Sequence, residues 1–126
     1  KIVEKAKENN AKRLVIDSIT AFSFWIDEVP KIRYAIYLLV NELRKINCTT
    51  ILTVETSGDK YSVSRFGVEE FLVDGIIQLF FNPPYRSIFI RKMRGVNHDK
   101  RVHPFEINDR GLEINNKEEV LWESIK

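Results

Sequence analysis

Residues 13–56 contain the pattern that most narrows the choice of fold. Residues 13–18 (RLVIDS) are an apolar run that ends in an acid, residues 31–47 repeat apolar side chains at spacings of three and four, and residues 49–56 (TTILTVET) are rich in β-branched side chains. A short apolar run is typical of a parallel strand buried on both faces, and the three-and-four spacing is typical of an amphipathic helix. The sequence therefore predicts a strand–helix–strand unit of the α/β class.

The last third of the chain has a different pattern. Residues 76–81 and 86–94 predict two strands around an Asn-Pro-Pro-Tyr turn, and residues 103–114 predict a further hairpin. Alternation of apolar and polar side chains at period two favours antiparallel pairing here. Residues 115–126 are expected to form a C-terminal tail with a short amphipathic helix.

Composition is that of a globular protein outside the membrane. The 126 residues are 44% hydrophobic and 30% charged, which suits one domain, assigned to residues 1–114, with residues 115–126 as its tail. No apolar run reaches the roughly 18 residues of a transmembrane helix. The single cysteine, Cys48, allows no intrachain disulfide, which fits a cytoplasmic location. Because the chain starts at Lys1 and its only methionine is Met93, we expect it to be part of a longer protein.

Residues 92–100 (KMRGVNHDK) concentrate positive charge around one glycine. Side chains two apart on a strand share a face, so Lys92 and Arg94 should point the same way and Met93 the opposite way. Gly95 then lets the backbone bend close to a ligand. A guanidinium forks onto phosphate oxygens and an ammonium adds a point charge, so the pair could hold one terminal phosphate. A solvated basic edge strand is the alternative, and the spacing alone does not separate the two.

A group of ionisable residues follows this basic stretch. His98, Asp99 and His103 could hold a metal ion, but their spacing matches no metal-site template. A turn in which the His-Asp pair has a structural or ligand-contacting role is the favoured interpretation.

Asp17 lies at the predicted carboxyl end of a buried strand, where open α/β sheets bind their ligands. In nucleotide hydrolases a carboxylate in this place holds Mg²⁺. Glu55, Thr56 and Ser57 end the next predicted strand and should lie beside Asp17, where they could contact a γ-phosphate or orient the attacking water. The alternatives are an Asp17 that caps the next turn and a hydrogen-bonded start to the loop after Ser57.

A phosphate-binding loop of the Walker A type is absent from the sequence. Such a loop requires Gly-Lys followed by Ser or Thr, and none of the five glycines precedes a lysine. These 126 residues therefore cannot hold the phosphates of their own ATP in the standard way.

Taken in order, three segments resemble the C-terminal part of a KaiC-like ATPase of the RecA superfamily. RLVIDSIT looks like the Walker B strand, and ILTVETSGDKYSVSRFGVEEFLVDGIIQL is similar to the following strand, loop and strand. The most specific segment is IFIRKMRGVNHDKRVHPFEINDRGLEI, in which KMRG-x-x-H-D-K precedes PFEI-x-D-x-G. The resemblance covers residues 1–114 and implies the C-terminal portion of a RecA-like P-loop NTPase core.

The resemblance also implies where ATP binds and what the residues do. Relatives of this kind bind ATP and Mg²⁺ between subunits of a homo-oligomer, a hexameric ring or a filament. Lys92 and Arg94 would contact the γ-phosphate held by the adjacent subunit, and Asp17 would serve the chain's own Mg²⁺. The positions that match those lining the base and ribose of the neighbour's nucleotide are Met93, Val96, His98, Asn108 and Asp109.

The same resemblance predicts what this stretch of chain lacks. The phosphate-binding loop and the catalytic glutamates of the family would lie upstream of Lys1, so the chain alone is expected to be inactive. The strand that carries the loop would sit between residues 49–56 and residues 76–81. Its absence should leave bare apolar edges that favour self-association.

Two other functions stay open at this stage. A RecA/RadA-like recombination or repair ATPase would bind single-stranded DNA through Lys60, Arg65 and Arg91, although nucleic acid is not the favoured partner. A non-catalytic interaction module would act through the acidic tail and Trp122.

Overall fold

The computed structural model describes all 126 residues, which form two compact units. The first unit comprises residues 1–57 and 64–73, and the second comprises residues 58–63 and 74–126. Each unit is built from its own sheet, two-stranded in the first and four-stranded in the second.

The first unit is the predicted strand–helix–strand arrangement. Strands β1 and β2 pair in parallel, with Arg13 opposite Thr49 and Ile16 opposite Leu52. This pairing confirms the α/β class. Both strands are shorter than the runs that predicted them, and a 3-10 helix occupies part of the connection between β1 and α2. The elements in chain order are α1 (Ile2–Glu8), β1 (Arg13–Ile16), the 3-10 helix (Ile19–Phe24), α2 (Val29–Lys45), β2 (Thr49–Leu52) and α3 (Glu69–Leu72).

Helix α2 supplies most of the core of the first unit. Pro30 lies in its first turn, where its missing N–H group costs no hydrogen bond. Ile32 and Ile36 on its apolar face are buried, with Ile36 fully so, and they pack with Ile19 and Phe66 in one cluster. The three-and-four spacing therefore reports the buried face correctly.

The prediction that β1 is buried on both faces is wrong. Ile16 and Leu52 pack against the core cluster, whereas Val15 is 63% exposed and Ile51, its partner across the pair, is 60% exposed. Successive side chains of a strand point to opposite faces, so one face of this pair is packed and the other is open. The apolar run recorded side chains that could be buried on both faces, but this unit covers only one.

The second unit is an antiparallel sheet in the order β3-β4-β5-β6, as the period-two alternation predicts. Residues 83–84 turn the chain between β3 and β4, and residues 109–110 turn it between β5 and β6. The predicted hairpins are therefore confirmed. The strands are β3 (Gly75–Asn82), β4 (Tyr85–Met93), β5 (His103–Asn108) and β6 (Gly111–Ile114).

The amphipathic helix predicted for residues 115–126 is wrong. Val120 instead forms a bridge with Val102, and a single 3-10 turn spans Trp122–Ser124. The Trp122 ring lies edge-on to the rings of Tyr61, Phe80 and Phe89, at centroid distances of 5.9, 5.9 and 5.6 Å. Packing of this aromatic side chain onto the sheet decides the conformation of the tail, because a local helix would lose those contacts.

None of the helices has both the length and the apolar character that spanning a membrane would require.

Candidate functional site

Asp17 follows β1 directly, and its carboxylate is exposed at the carboxyl end of the parallel pair. Thr53 follows β2 at the same level, because Ile16 and Leu52 are register partners. The Thr53 hydroxyl donates a hydrogen bond of 2.5 Å to Asp17 Oδ1, and its N–H donates to the carbonyl oxygen of Ile16 at 3.0 Å. The Asp17 side chain is therefore held by Thr53 at the sheet edge and is exposed there.

The polar residues Glu55, Thr56 and Ser57 are all exposed after β2. The N–H of Glu55 donates to Oγ1 of the buried Thr20 at 3.2 Å, which ties the segment after β2 to the segment after β1. None of the three side chains forms a hydrogen bond with Asp17. The residue that does so is Thr53. The sequence analysis did not name Thr53, because it predicted that the strand continues to residue 56, whereas β2 ends at Leu52.

In the second unit, Lys92 and Met93 end β4 and Arg94 follows it. The Arg94 N–H donates to the Asp74 carbonyl at 2.8 Å, and its guanidinium lies 3.4 Å from the Asp74 carboxylate. Gly95 has a φ of 74°, a left-handed conformation that favours glycine, and a Cβ added there would meet nothing within 4 Å. The backbone beside Arg94 is thus open to close approach by a ligand.

Met93 pairs with Gly75 of β3 across the sheet. A Cβ added at Gly75 would lie 2.8 Å from the Met93 sulfur, so this glycine leaves the room that Met93 occupies. A side chain at position 75 would therefore require the end of the Met93 side chain to move.

The remaining predicted nucleotide-contacting residues fall into two local groups. Val96 is exposed, and the His98 ring nitrogen Nδ1 lies 2.9 Å from the backbone oxygen of Asp99. Asn108 and Asp109 are exposed at the β5–β6 turn, where the Asn108 amide donates to Glu113 at 2.7 Å. No hydrogen bond joins the two groups, so a shared nucleotide contact by them stays a prediction.

Asp99 is the centre of a compact ionic cluster. It accepts hydrogen bonds from the Arg101 side chain at 2.7 and 3.0 Å and from the Arg101 N–H at 2.9 Å. His103 is buried, with Nε2 3.1 Å from Asp99 and Nδ1 2.7 Å from the Glu118 carbonyl oxygen. No three His, Cys, Asp or Glu side chains lie together in a metal-binding arrangement. The sequence favours a structural or ligand-contacting role for this group, and the contacts of Asp99 and His103 are all within the chain.

The comparisons with known proteins identify the family. The family model described as the ATPase KaiC matches residues 1–119. The chain belongs to the KaiC family of ATPases. It is 39% identical over 112 residues to the circadian clock oscillator protein KaiC of Nostoc sp. and 38% identical over 112 residues to that of Picosynechococcus sp.. These alignments cover 86% of this chain and 22% of each relative, so the chain spans only about a fifth of their length.

A solved structure gives the same result for the fold. The KaiC-like protein of the hyperthermophilic archaeon Pyrococcus horikoshii OT3 aligns with a TM-score of 0.79 and 39% sequence identity. The alignment covers 90% of this chain and 51% of that protein. The resemblance to KaiC-like ATPases and the RecA-like α/β fold class are therefore both confirmed.

The Asp99 cluster of this KaiC-family chain leads to a prediction about pH. The hydrogen bonds and charge of Arg101, with a smaller contribution from His103, hold the pKa of Asp99 well below its usual range. A depressed carboxyl pKa contributes stability above the unfolded pKa of about 3.9, and that stability is lost as the pH falls toward the lower folded value. Asp99→Asn should therefore lower the urea midpoint of unfolding at pH 7, and the gap to wild type should narrow in acid.

The matched control for this prediction is Asp109→Asn, which removes an exposed carboxylate that has no ion pair. It should leave the urea midpoint close to that of wild type at both pH values. A gap between Asp99→Asn and wild type that stays constant as the pH falls below about 4 would contradict the ionic role of Asp99.

Proposed function

We propose that this KaiC-family chain takes part in ATP hydrolysis in a cytoplasmic homo-oligomer that binds ATP between subunits. Asp17 serves the nucleotide of its own subunit, and Lys92 and Arg94 act on the γ-phosphate held by the neighbour. The observation that carries the proposal is the position of Asp17. An acid fixed by Thr53 at the carboxyl end of a parallel pair lies where open α/β sheets bind ligands.

The residues around Asp17 fit a magnesium ion. Mg²⁺ is held in nucleotide sites by one or two carboxylates or hydroxyls together with waters and substrate phosphates. The Asp17 side chain is exposed, and the Thr53 hydroxyl donates to its Oδ1. When bound, the ion neutralises negative charge on the phosphates, while the role of this chain is to hold the carboxylate still.

The Arg94 guanidinium contacts Asp74 of its own chain. The ion pair is long, at 3.4 Å, and both side chains are largely exposed, so it contributes little to stability. A phosphate bears more negative charge than one carboxylate and can accept both guanidinium hydrogen bonds. In this proposal the Arg94 guanidinium exchanges its contact with Asp74 for the neighbour's γ-phosphate.

Within this proposal the other residues have supporting roles. Glu55 orients the attacking water, and Thr56 and Ser57 contact the γ-phosphate. The base and ribose of the neighbour's nucleotide are contacted by Met93, Val96, His98, Asn108 and Asp109. Without a Gly-Lys sequence, the 126 residues alone should show no ATPase activity above background.

The test of the cis role uses a longer polypeptide in which residues 1–126 follow a KaiC-family phosphate-binding loop. Asp17→Asn should lower its Mg²⁺-dependent rate of ATP hydrolysis by about 100-fold, because the neutral amide loses the charge that holds the ion. The rate is measured by phosphate release across a Mg²⁺ titration. Asp27→Asn, an exposed acid of the same unit, is the control. Equal rates for the two variants would refute the role of Asp17.

Of the three cations named for the single-stranded DNA alternative, Arg91 donates only to the neutral Gln78 side chain, and the other two have contacts within their own units. Lys60 donates to the Trp122 carbonyl at 3.1 Å and lies 5.6 Å from the centre of the Trp122 ring. Arg65 lies 5.9 Å from the Phe66 ring within the first unit. Both cations are thus engaged with groups of their own unit.

A further inference from the structure

A cavity of about 270 Å³ opens in the second unit beside β4 and the C-terminal tail. Its apolar wall is formed by Phe89, Val102 and Trp122, and three cations line the other side. These cations are Arg91, Lys100 and Arg101. Neither Lys92 nor Arg94, which we assign to the neighbour's ATP, lines the cavity. It is therefore a separate feature of the molecule.

Trp122 gives the cavity a rigid wall. Three aromatic rings meet it edge-on within 5.9 Å, and Lys60 binds its carbonyl oxygen. The KaiC family model ends at residue 119, so Trp122 lies outside the matched residues, whereas Phe89 and Val102 lie within them. A ring held by these contacts and lining the cavity offers an apolar surface on which another ring can pack at little entropic cost.

The cations of the cavity are unequally compensated. Arg101 is held by the Asp99 carboxylate. Arg91 has only a neutral partner, donating to the Gln78 side chain at 3.3 Å. Lys100 forms no hydrogen bond or ion pair, and the single acid of the lining, Glu119, forms no ion pair either. Two cations are therefore available to one ligand on the rim of an apolar cavity.

The strand geometry explains why Arg91 reaches the cavity. The register between β3 and β4 shifts at this point, since Ile76 pairs with Lys92 and Ile77 pairs with Ile90. Arg91 is the extra residue of this bulge and has no register partner on β3. Bulges of this kind redirect a side chain and are common beside functional sites.

We propose that this cavity binds a small organic anion: an apolar ring that packs on Trp122 and Phe89 and carries one carboxylate or phosphate held by Arg91 and Lys100. The volume lies just below the range of about 300–1,000 Å³ that is usual for ligand sites, which restricts the ligand to about one ring and its charged group. An anionic group without a ring would leave the apolar wall unused, and a neutral ring would leave both cations unpaired.

The test uses Trp25→Phe, which removes the exposed tryptophan of the first unit and leaves Trp122 as the only one. Fluorescence of Trp122 is followed during titration with phenyl phosphate, benzoate, inorganic phosphate and benzyl alcohol. Phenyl phosphate or benzoate should give a saturable change with a Kd of about 1 mM, as expected for a ligand of this size. The stronger of these two identifies the charged group, and the other two probes should bind at least about tenfold more weakly.

Two variants and two controls decide whether the cavity is the site. Arg91→Gln and Lys100→Met should each weaken binding of the better probe by about tenfold, since each removes one charge-assisted contact. Arg86→Gln, on the same strand, and Lys117→Met are matched controls outside the cavity and should not change the Kd. The proposal is overturned if neither ring-bearing anion saturates, if inorganic phosphate binds as well as phenyl phosphate, or if the controls weaken binding as much as the cavity variants.

Discussion

Replacing Arg94 by alanine should lower the rate of ATP hydrolysis by about 10³-fold or more in an assembled KaiC-family protein that contains this chain. Negative charge on the oxygens of the transferred phosphoryl group must be stabilised in the transition state. A guanidinium supplied by a neighbouring subunit does this through two parallel hydrogen bonds in a site from which water is largely excluded. Gly95 keeps the backbone next to Arg94 clear for that approach.

The measurement is the turnover number at saturating ATP, together with the affinity for a non-hydrolysable ATP analogue. Arg94→Ala should reduce turnover far more than it reduces affinity, because the contact strengthens as charge develops. Arg94→Lys should recover part of the lost turnover, since lysine keeps the positive charge but cannot donate two parallel hydrogen bonds. Arg86→Ala on the same strand is the control, and an Arg94→Ala turnover equal to that of the control would rule out the arginine's role.

Replacing Glu69 by alanine should destabilise the protein by about 3 kcal/mol. Glu69 is 5% exposed, and its carboxylate accepts a hydrogen bond from the Ser64 hydroxyl. It also accepts from the N–H groups of Arg65, Phe66 and Val68 at 3.2, 3.1 and 3.0 Å. One buried carboxylate therefore organises the whole turn before α3, and alanine would leave those donors without a partner.

The acid–base behaviour of Glu69 follows from the same contacts. Burial alone would raise its pKa, but the hydrogen bonds from Ser64 and from the backbone outweigh burial, so the pKa lies below its ordinary value. The carboxylate therefore contributes stability above the unfolded pKa of about 4.3, and this contribution is lost as the pH falls further.

Urea unfolding at pH 7 measures the effect of Glu69→Ala. Glu69→Gln, which keeps the shape, should cost less, and Glu8→Ala on the exposed end of α1 should stay within about 0.5 kcal/mol of wild type. A Glu69→Ala variant as stable as Glu8→Ala would contradict this account.

The elements that the sequence predicted best are those set by local periodicity. The repeat along residues 31–47 reports the buried face of α2, and the two β-branched runs report the parallel pair β1–β2. Periodicity could not reveal that one face of this pair is open, because it records which side chains can be buried and not which elements cover them. The prediction of a helix in the C-terminal tail was wrong for a related reason. Val120 and Ile125 fit a helix locally, but the contacts of Trp122 are with rings distant in sequence.

The candidate site was predictable where it depends on residue type next to a strand end. Asp17 lies where the apolar run placed it, and the strand that precedes Gly95 carries Lys92 as expected. Thr53 and Thr20 were missed because their importance depends on the register of two strands and on a hydrogen bond across 35 residues. Glu69 was missed because a charged side chain in a loop-rich segment reads as exposed until its buried donors are known.

The trans role of Arg94 is tested most directly by mixing two inactive variants of the longer protein. One carries Arg94→Ala, and the other has the lysine of its phosphate-binding loop replaced by alanine. If each arginine completes the site of its neighbour, a mixed oligomer contains interfaces that join an intact loop to an intact Arg94, and ATP hydrolysis returns on mixing. If Arg94 acts within its own subunit, every site in the mixture retains one defect. No recovery of activity in confirmed mixed oligomers would contradict the account.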